Sequence, residues 1–353
     1  MMKTMAAATR RQRRHAGCRR HAGGSSLVEL MIAITIGLLV LTALAALFAH
    51  NSQARAEIDQ ATQQIENGRY ALELLREDIH LAGYYGPYAM SGATPVEVSP
   101  CQTALASMGW STATSTVPVW ISGFRHGDTL PAGCALPHLK AGTDGLVIRR
   151  LNTTPVTVAT AGTPANQTSF HLQVSACPGD AMPYVFAPGG AGAAAFTLRQ
   201  KDCATIAALR KFEVHAWYIG TCSVCTGAAD TIPTLRRLEL AGGALSDLPL
   251  VEGIEAMRVD YALDADGDGH PESSRRCTSD AASASHCPAA TLANTMGLRV
   301  YLLARNLKTT INHTDNKTYS MGISGSLTPG GSYRRHAYSA LVAVVNASGR
   351  REQ

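Results

Sequence analysis

Apolar and polar positions divide the chain into three regimes. From Leu27 to Phe48 there is one charged side chain, Glu29, at the start of the run. As a helix this stretch measures about 33 Å at 1.5 Å per residue, enough to cross a hydrocarbon core. A cleaved secretory signal would carry a shorter apolar region ending in an A-x-A-like site. Here the run flows without a break into a polar repeat. Ala54, Ile58, Ala61, Ile65, Gly68, Leu72, Leu75, Ile79 and Ala82 recur at spacings of four and three, a narrow stripe on one helix face. Between them lie solvent-compatible Arg55, Glu57, Asp59, Gln60, Gln63, Gln64, Glu66, Arg69, Glu73, Arg76, Glu77 and Asp78. The stripe fits a two-stranded coiled coil, and equally a helix laid on a sheet or on neighbouring helices. No proline interrupts Ser25–Ala82, and Gly83 followed by Gly86-Pro87 supplies the stop. A single helix of about 57 residues, roughly 85 Å long, is expected.

Past residue 87 the period changes to short alternating or apolar runs bounded by Gly, Pro, Asn and Asp. Strands are expected at Val117–Ile121, Gly145–Arg150, Ser169–Val174, Ala195–Arg199, Phe212–Ile219, Thr234–Leu240, Ala256–Leu263, Leu298–Asn306 and Tyr338–Val345. The fold class is α+β: a mainly antiparallel sheet packed on the C-terminal half of the long helix. Stretches 88–116 and 151–210 are rich in Ala, Thr and Gly and read as loops tied down by cysteines. No repeat of solenoid period is present.

Charge sharpens the division. The net charge is +5, yet Lys3, Arg10, Arg11, Arg13, Arg14, Arg19 and Arg20 account for seven of the 31 basic residues and no acid accompanies them in 1–24. The rest of the chain holds 24 basic against 26 acidic residues. The excess belongs to a leader and reads as a cytoplasmic, positive-inside flank, in preference to a nucleic-acid-binding arm. Of the nine cysteines, Cys18 lies in that leader. The other eight, Cys101, Cys134, Cys177, Cys203, Cys222, Cys225, Cys277 and Cys287, form an even set beyond the apolar run and imply an oxidising compartment. Pairing between sequence neighbours is expected, because short loops close most easily.

Four motifs carry candidate chemistry. Asp264, Asp266 and Asp268 alternate ahead of Gly269 and His270, so three carboxylates and the backbone carbonyl of His270 can converge on a calcium ion. The twelfth position of the loop is Arg275, where an EF-hand needs a bidentate Glu, so a further ligand must come from elsewhere, with Glu272 as one candidate. The competing reading is an Asp/Gly turn between two strands. Magnesium tolerates irregular loops poorly. Cys222-Ser223-Val224-Cys225 reads as a small disulfide loop, since turn-like residues follow it and no second pair completes a zinc site. Gly189-Gly190-Ala191-Gly192 lacks the Lys-Ser/Thr of a phosphate loop. No Ser/His/Asp set has a recognisable local signature, so no catalytic residues and no enzymatic activity are expected.

The fourth motif carries a family resemblance. Gly24-Ser25-Ser26-Leu27-Val28-Glu29-Leu30 resembles the class III signal of type IV pilins, cut after the glycine with Glu at the fifth mature position. Glu66–Asp78, Leu81–Gly86, Pro249–Ile254, the Asp264–Gly269 loop, Val300–Asn306 and Tyr333–Ser339 are together similar to minor pilins of the PilW family. That family usually has Phe at the first mature position, where this chain has Ser25. The resemblance implies a leader over 1–24, a transmembrane half of the helix over 25–48, an amphipathic half over 49–86 and a β-rich periplasmic domain over 87–353. It implies cleavage between Gly24 and Ser25 by a prepilin peptidase, N-methylation of the new amine, and anchoring in the inner membrane before passage to the pilus. Expected partners are the major pilin, other minor pilins in a priming and tip complex, and a tip adhesin; nucleic acid is not among them. A carboxylate at membrane depth costs roughly 2.5–3.5 kcal/mol, so Glu29 needs a purpose: pairing with the N-terminal amine of an adjacent subunit. Two rivals share parts of the pattern, a type II secretion pseudopilin of the J kind and an uncleaved signal-anchored periplasmic protein.

Overall fold

In a computed structural model of the chain, residues 26–348 are described, apart from positions 89, 91, 126, 130–133, 135 and 137. A single helix, α1 (Leu27–Leu81), opens them. Its first turn is capped by Ser26, whose carbonyl accepts from Leu30 N at 3.1 Å and whose hydroxyl accepts from Val28 N at 3.3 Å. It ends where Gly83 takes a φ of +70° and donates its N–H to the carbonyl of Arg149. The chain divides into two units at Ala56/Glu57, so the division falls inside α1. In the first unit every described side chain is exposed. Thr35 and Thr42, the polar residues of its apolar stretch, satisfy their hydroxyls on the carbonyls of Ile32 and Leu39, both at 2.9 Å.

The second unit begins with the rest of α1 and continues through β1 (Thr94–Val96), β2 (Thr116–Pro118), β3 (Ile121–Arg125), β4 (Asp144–Leu151), β5 (Phe170–Val174), β6 (Tyr184–Pro188), β7 (Leu209–Gly220) and β8 (Thr234–Ala241). It closes with β9 (Ala244–Glu252), β10 (Ile254–Leu263), β11 (Ser273–Arg275), β12 (Thr295–Arg305), β13 (Tyr319–Ser320), β14 (Ser326–Leu327) and β15 (Arg335–Ala343). The twelve-residue β7 organises the larger sheet, pairing with β4 and β8 along its length and with β5 at its start. β3 extends that sheet beyond β4, β9 beyond β8 and β6 beyond β5, all antiparallel. A second antiparallel sheet runs β11-β10-β12-β15. The class is the expected α+β, a helix packed on antiparallel sheets.

The strands expected at 145–150, 169–174, 212–219, 234–240, 256–263 and 298–306 coincide with β4, β5, β7, β8, β10 and β12, and the last expected strand overlaps β15. Three differences have physical reasons. Val117–Ile121 is not one strand: the chain leaves β2 and enters β3 across Val119 and Trp120. Ala195–Arg199 is not a strand; Gly192–Ala195 is a helical turn, and only Arg199 touches a neighbour, Ile206, as an isolated bridge. β6 lies in the 151–210 stretch expected to be loop, and β9 falls where no strand is expected; hairpin pairing with β5 and β8 forms both.

The helix face that meets the sheets takes in the C-terminal part of the apolar stripe, Gly68, Leu75, Ile79 and Ala82, but not its earlier isoleucines. Buried on α1 are Gln64, Gly68, Ala71, Leu75, Asp78 and Ile79, whereas Ile58 and Ile65 are exposed. Two residues read as solvent-compatible, Gln64 and Asp78, are therefore interior, because the sheets offer them partners. Gln64 Nε2 donates to the carbonyls of Ala304 at 2.8 Å and Arg334 at 3.0 Å. Asn67 Nδ2 donates to the carbonyl of Glu252 at 3.0 Å. At Gly68 a Cβ would lie 2.2 Å from the Tyr338 ring, so the close approach of helix to β15 needs glycine. Asp78 is the hub. Its Oδ1 accepts from Arg150 Nε at 2.8 Å, and its Oδ2 accepts from Trp217 Nε1 at 2.8 Å and lies 2.8 Å from His215 Nδ1. Arg150 also pairs with Glu213, its neighbour across β4 and β7, at 2.6 Å. Burial alone would raise the Asp78 carboxyl; His215, Arg150 and Trp217 together outweigh it and hold the group far below its ordinary value.

Removing this carboxylate strands Arg150 and His215 in the interior, so Asp78→Ala should lower unfolding stability by about 3–5 kcal/mol. A depressed folded pKa means the stabilisation is fully present above the unfolded value, near 3.8, and fades as pH falls through the folded one. Denaturant titrations of the full chain in detergent, run from about pH 5 to pH 2, should show that acid loss in the wild type and a flatter profile in Asp78→Asn. Identical acid profiles would contradict the assignment.

Candidate functional site

Glu29 stands in the first turn of α1, three residues after its cap. Ser26-Leu27-Val28-Glu29 has the spacing of a capping box, the signal by which Ser26 could have been picked out of the sequence. Yet among the described residues the Glu29 carboxylate has no hydrogen-bond or ion-pair partner. Around it Leu27, Val28, Leu30 and Met31 are more than half exposed, as are the apolar side chains through Phe48. α1 is long and apolar enough to cross a membrane. The arrangement is an unpaired acid near the tip of an uncovered apolar helix. Gly24 and Ser25, the expected cleavage pair, and the basic residues before them lie outside the described residues.

The Asp-rich loop connects β10 to β11. Asp264 is fully buried and holds the turn, accepting from Gly267 N at 2.6 Å and Gly269 N at 3.1 Å. Both glycines take positive φ, +85° and +89°. Asp266 accepts from Asp268 N at 3.2 Å, and Asp268 from the backbone N–H of His270 at 2.8 Å. Glu272 folds back to accept from Ala265 N at 2.6 Å. One oxygen from each of Asp264, Asp266, Asp268 and Glu272 lies within 4.8 Å of the others. Four carboxylates at this spacing suit a hard cation with oxygen ligands.

The eight cysteines beyond the apolar run are joined as sequence neighbours: Cys101–Cys134, Cys177–Cys203, Cys222–Cys225 and Cys277–Cys287. His138 lies close to Cys222 and Cys225, but the disulfide leaves neither sulfur as a thiolate for zinc. Cys177–Cys203 encloses the turn pinned by Asp180, which accepts from Ser175 Oγ at 2.7 Å and from Arg199 Nε at 2.8 Å. Cys101–Cys134 anchors the segment before β2, whose Trp110 stacks among Tyr85, Tyr184 and Phe186. On that face Arg149 is fully buried, donating to Val119 O at 3.0 Å, to Ser122 Oγ at 3.2 Å and to Val98 O, and burial pushes its guanidinium down to about 10.

An exposed apolar helix with an acid in its first turn, running into a head of antiparallel sheets, is the architecture of a type IV pilin. Residues 19–45 match the prokaryotic N-terminal methylation motif, which spans the expected cleavage point. Residues 216–346, from within β7 to just past β15, match Type IV Pilus-assembly protein W, and together the two matches support a type IV pilin of the PilW family. No curated protein sequence matches the chain. Among solved structures it is similar to a type IV-like pilin from Thermus thermophilus, at 14% identity and a TM-score of 0.26, over 58% of this chain and 80% of that one.

Loop closure separates the disulfides energetically. Replacing Cys177 and Cys203 together by Ser, across a separation of 26, should cost about 3–4 kcal/mol, against about 2 kcal/mol for Cys222 and Cys225, at a separation of 3. Thermal unfolding of the two double variants tests the order, and a larger loss for the Cys222/Cys225 variant would overturn it.

Proposed function

We propose that the chain is inserted with its basic leader in the cytoplasm and its head in the periplasm, and is cut between Gly24 and Ser25 by a prepilin peptidase. It then enters a complex of minor pilins that primes the fibre and stays at its tip beside an adhesin. On this reading it is a structural subunit and not an enzyme. The supporting observation is Glu29. A lone carboxylate on an exposed apolar helix is costly in lipid and has nothing among the described residues to offset it. Cleavage after Gly24 would create an α-amine close in sequence to Glu29, and in a helix bundle the amine of one subunit can meet the acid of the next. The pair forms only between subunits, which makes it a register device. The span of the methylation match, across 19–45, agrees with processing at that point.

Glu29→Ala should therefore still insert, with an easier membrane entry, and still be cleaved, yet be depleted about tenfold or more from sheared fibres, as read by immunoblot of the membrane and fibre fractions. Wild-type incorporation of Glu29→Ala would remove the pairing role.

We further propose that Asp264, Asp266, Asp268 and Glu272 bind calcium, with the His270 carbonyl as an added ligand. The converging carboxylates support this, since they repel one another without a cation. Calcium at about a hundred times its dissociation constant should stabilise the protein by about 2.7 kcal/mol, raising Tm by about 5 °C or more. Asp266→Ala should abolish the rise, and a Tm insensitive to excess calcium would refute the site.

A further inference from the structure

The loop that leaves β7 carries Cys222 and Cys225, and polar contacts hold it independently of their disulfide. Asp230 closes it from one side, its carboxylate accepting from Ser223 N and Val224 N at 2.8 Å each and from Ile232 N at 3.0 Å. Arg236 of β8 closes it from the other, with Nη1 donating to the carbonyls of Cys222 and Ser223, both at 3.0 Å. Ser223 Oγ donates to Glu252 Oε1 at 2.8 Å. A cross-link over a separation of 3 removes the least loop entropy of the four disulfides, so it is the one whose opening disturbs the head least.

The surroundings of the two sulfurs suit thiolate chemistry. Cys222 is buried, and Cys225 is the more exposed of the two. Arg236 Nη1 also donates to Cys225 Sγ at 3.5 Å, and Thr221 Oγ1 donates to Cys222 Sγ at 3.8 Å. One imidazole nitrogen of His138 lies within 4.8 Å of both sulfurs. His138 is placed there against its backbone preference. Its φ is +61°, in the left-handed region, and it is fixed by its carbonyl, which accepts from Thr221 N at 2.8 Å, and by the bridge between Leu139 and Gly220. The acids nearby are engaged elsewhere: Asp230 on the loop amides, Glu252 on Ser223, and Asp247 on Arg236 Nη2 at 2.8 Å. A guanidinium and an imidazole beside a sulfur favour its thiolate form, and thiolate character sets the rate of disulfide exchange. Among the described residues no other disulfide sulfur accepts from a side-chain cation, and no other disulfide forms such a group with a histidine.

We propose that Cys222–Cys225 is an exchange site for a protein thiol. The incoming cysteine thiolate attacks Cys225 Sγ. The bond between Cys225 and Cys222 breaks as the new disulfide forms, and Cys222 Sγ leaves with the electron pair as a thiolate beside His138 and the Thr221 hydroxyl. One disulfide is consumed and one is made, so no separate oxidant or reductant enters. Attack by Cys222 on the mixed disulfide reverses the step and releases the partner. The head thereby gains a reversible covalent hold on a cysteine-bearing partner. The inference stands on this geometry and is independent of the fibre reading.

The test uses the purified full chain in detergent, without oxygen and near neutral pH, with reduced glutathione as the probe thiol. The reaction is quenched with N-ethylmaleimide and read by peptide mass spectrometry. Glutathione should appear on Cys225 with N-ethylmaleimide on Cys222, at a rate about tenfold or more above that of the other three disulfides. A second readout separates the effect of the neighbouring cations from that of exposure. Cys222→Ser leaves Cys225 as a free thiol, and its alkylation by iodoacetamide against pH should give an apparent pKa about one unit or more below the ordinary value of about 8.5. His138→Asn, which accepts the same left-handed backbone, should raise that value, and in the chain with all four disulfides it should slow glutathione exchange about threefold or more. Because His138 is exposed, this last measurement decides the matter even where Cys222→Ser fails to fold. Equal rates at the other disulfides, an adduct on Cys222 in place of Cys225, or exchange unmoved by His138→Asn overturns the proposal.

Discussion

The head depends on one carboxylate meeting three donors. Asp78 comes from the last turns of α1, and Arg150, His215 and Trp217 come from β4 and β7, so the contact joins helix to sheet through charge-assisted bonds that only one rotation of the helix permits. Apolar packing is not directional and would tolerate Ile65 and Leu72 facing inward. The Asp78 cluster, with Gln64 on the carbonyls of Ala304 and Arg334 and Gly68 against Tyr338, sets the helix so that Ala71, Leu75 and Ile79 are buried, Leu72 is partly buried and Ile65 is exposed. This arrangement also accounts for several of the stretches that carried the resemblance. Asn67, Gly68 and Asp78 lie on one side of the seam, and Asn306 and Tyr338 on the other, where Asn306 Nδ2 donates to Gln60 Oε1 at 3.1 Å.

Much of the fold was legible because it follows from periodicity. The uncharged run from Leu30 to Phe48 and the alternation in β10 and β12 are properties of the chain read locally. The rotation of α1 was not legible, because a local reading assigns Gln64 and Asp78 to water by their type. Their burial depends on partners between 72 and 270 residues away in sequence. For the same reason β9 escaped notice: Pro249 and Asp247 argue against a strand, but Asp247 holds Arg236 of β8 and Tyr218 of β7 at 2.8 Å each. Glu29 and the Asp264–Glu272 loop were legible by spacing.

Glu29 and Asp78 occupy the same helix and meet opposite circumstances. Asp78 is saturated inside the chain, where removal of any one partner leaves charge stranded. Glu29 is left with no partner among the described residues, on a segment whose apolar side chains are also uncovered. An acid satisfied within the subunit can stabilise the fold but carries no information about neighbours. An acid with no partner among the described residues would become favourable where another molecule supplies the cation, which is the basis of the proposed pairing between subunits.

Two acids of the second sheet are of the kind satisfied within the subunit. Asp264, at the end of β10, spends both oxygens on Gly267 and Gly269 and so fixes a turn. Asp260, four residues earlier, accepts from Ile323 N and is also hydrogen-bonded by the Tyr301 side chain, so it ties the 322–324 turn to the sheet.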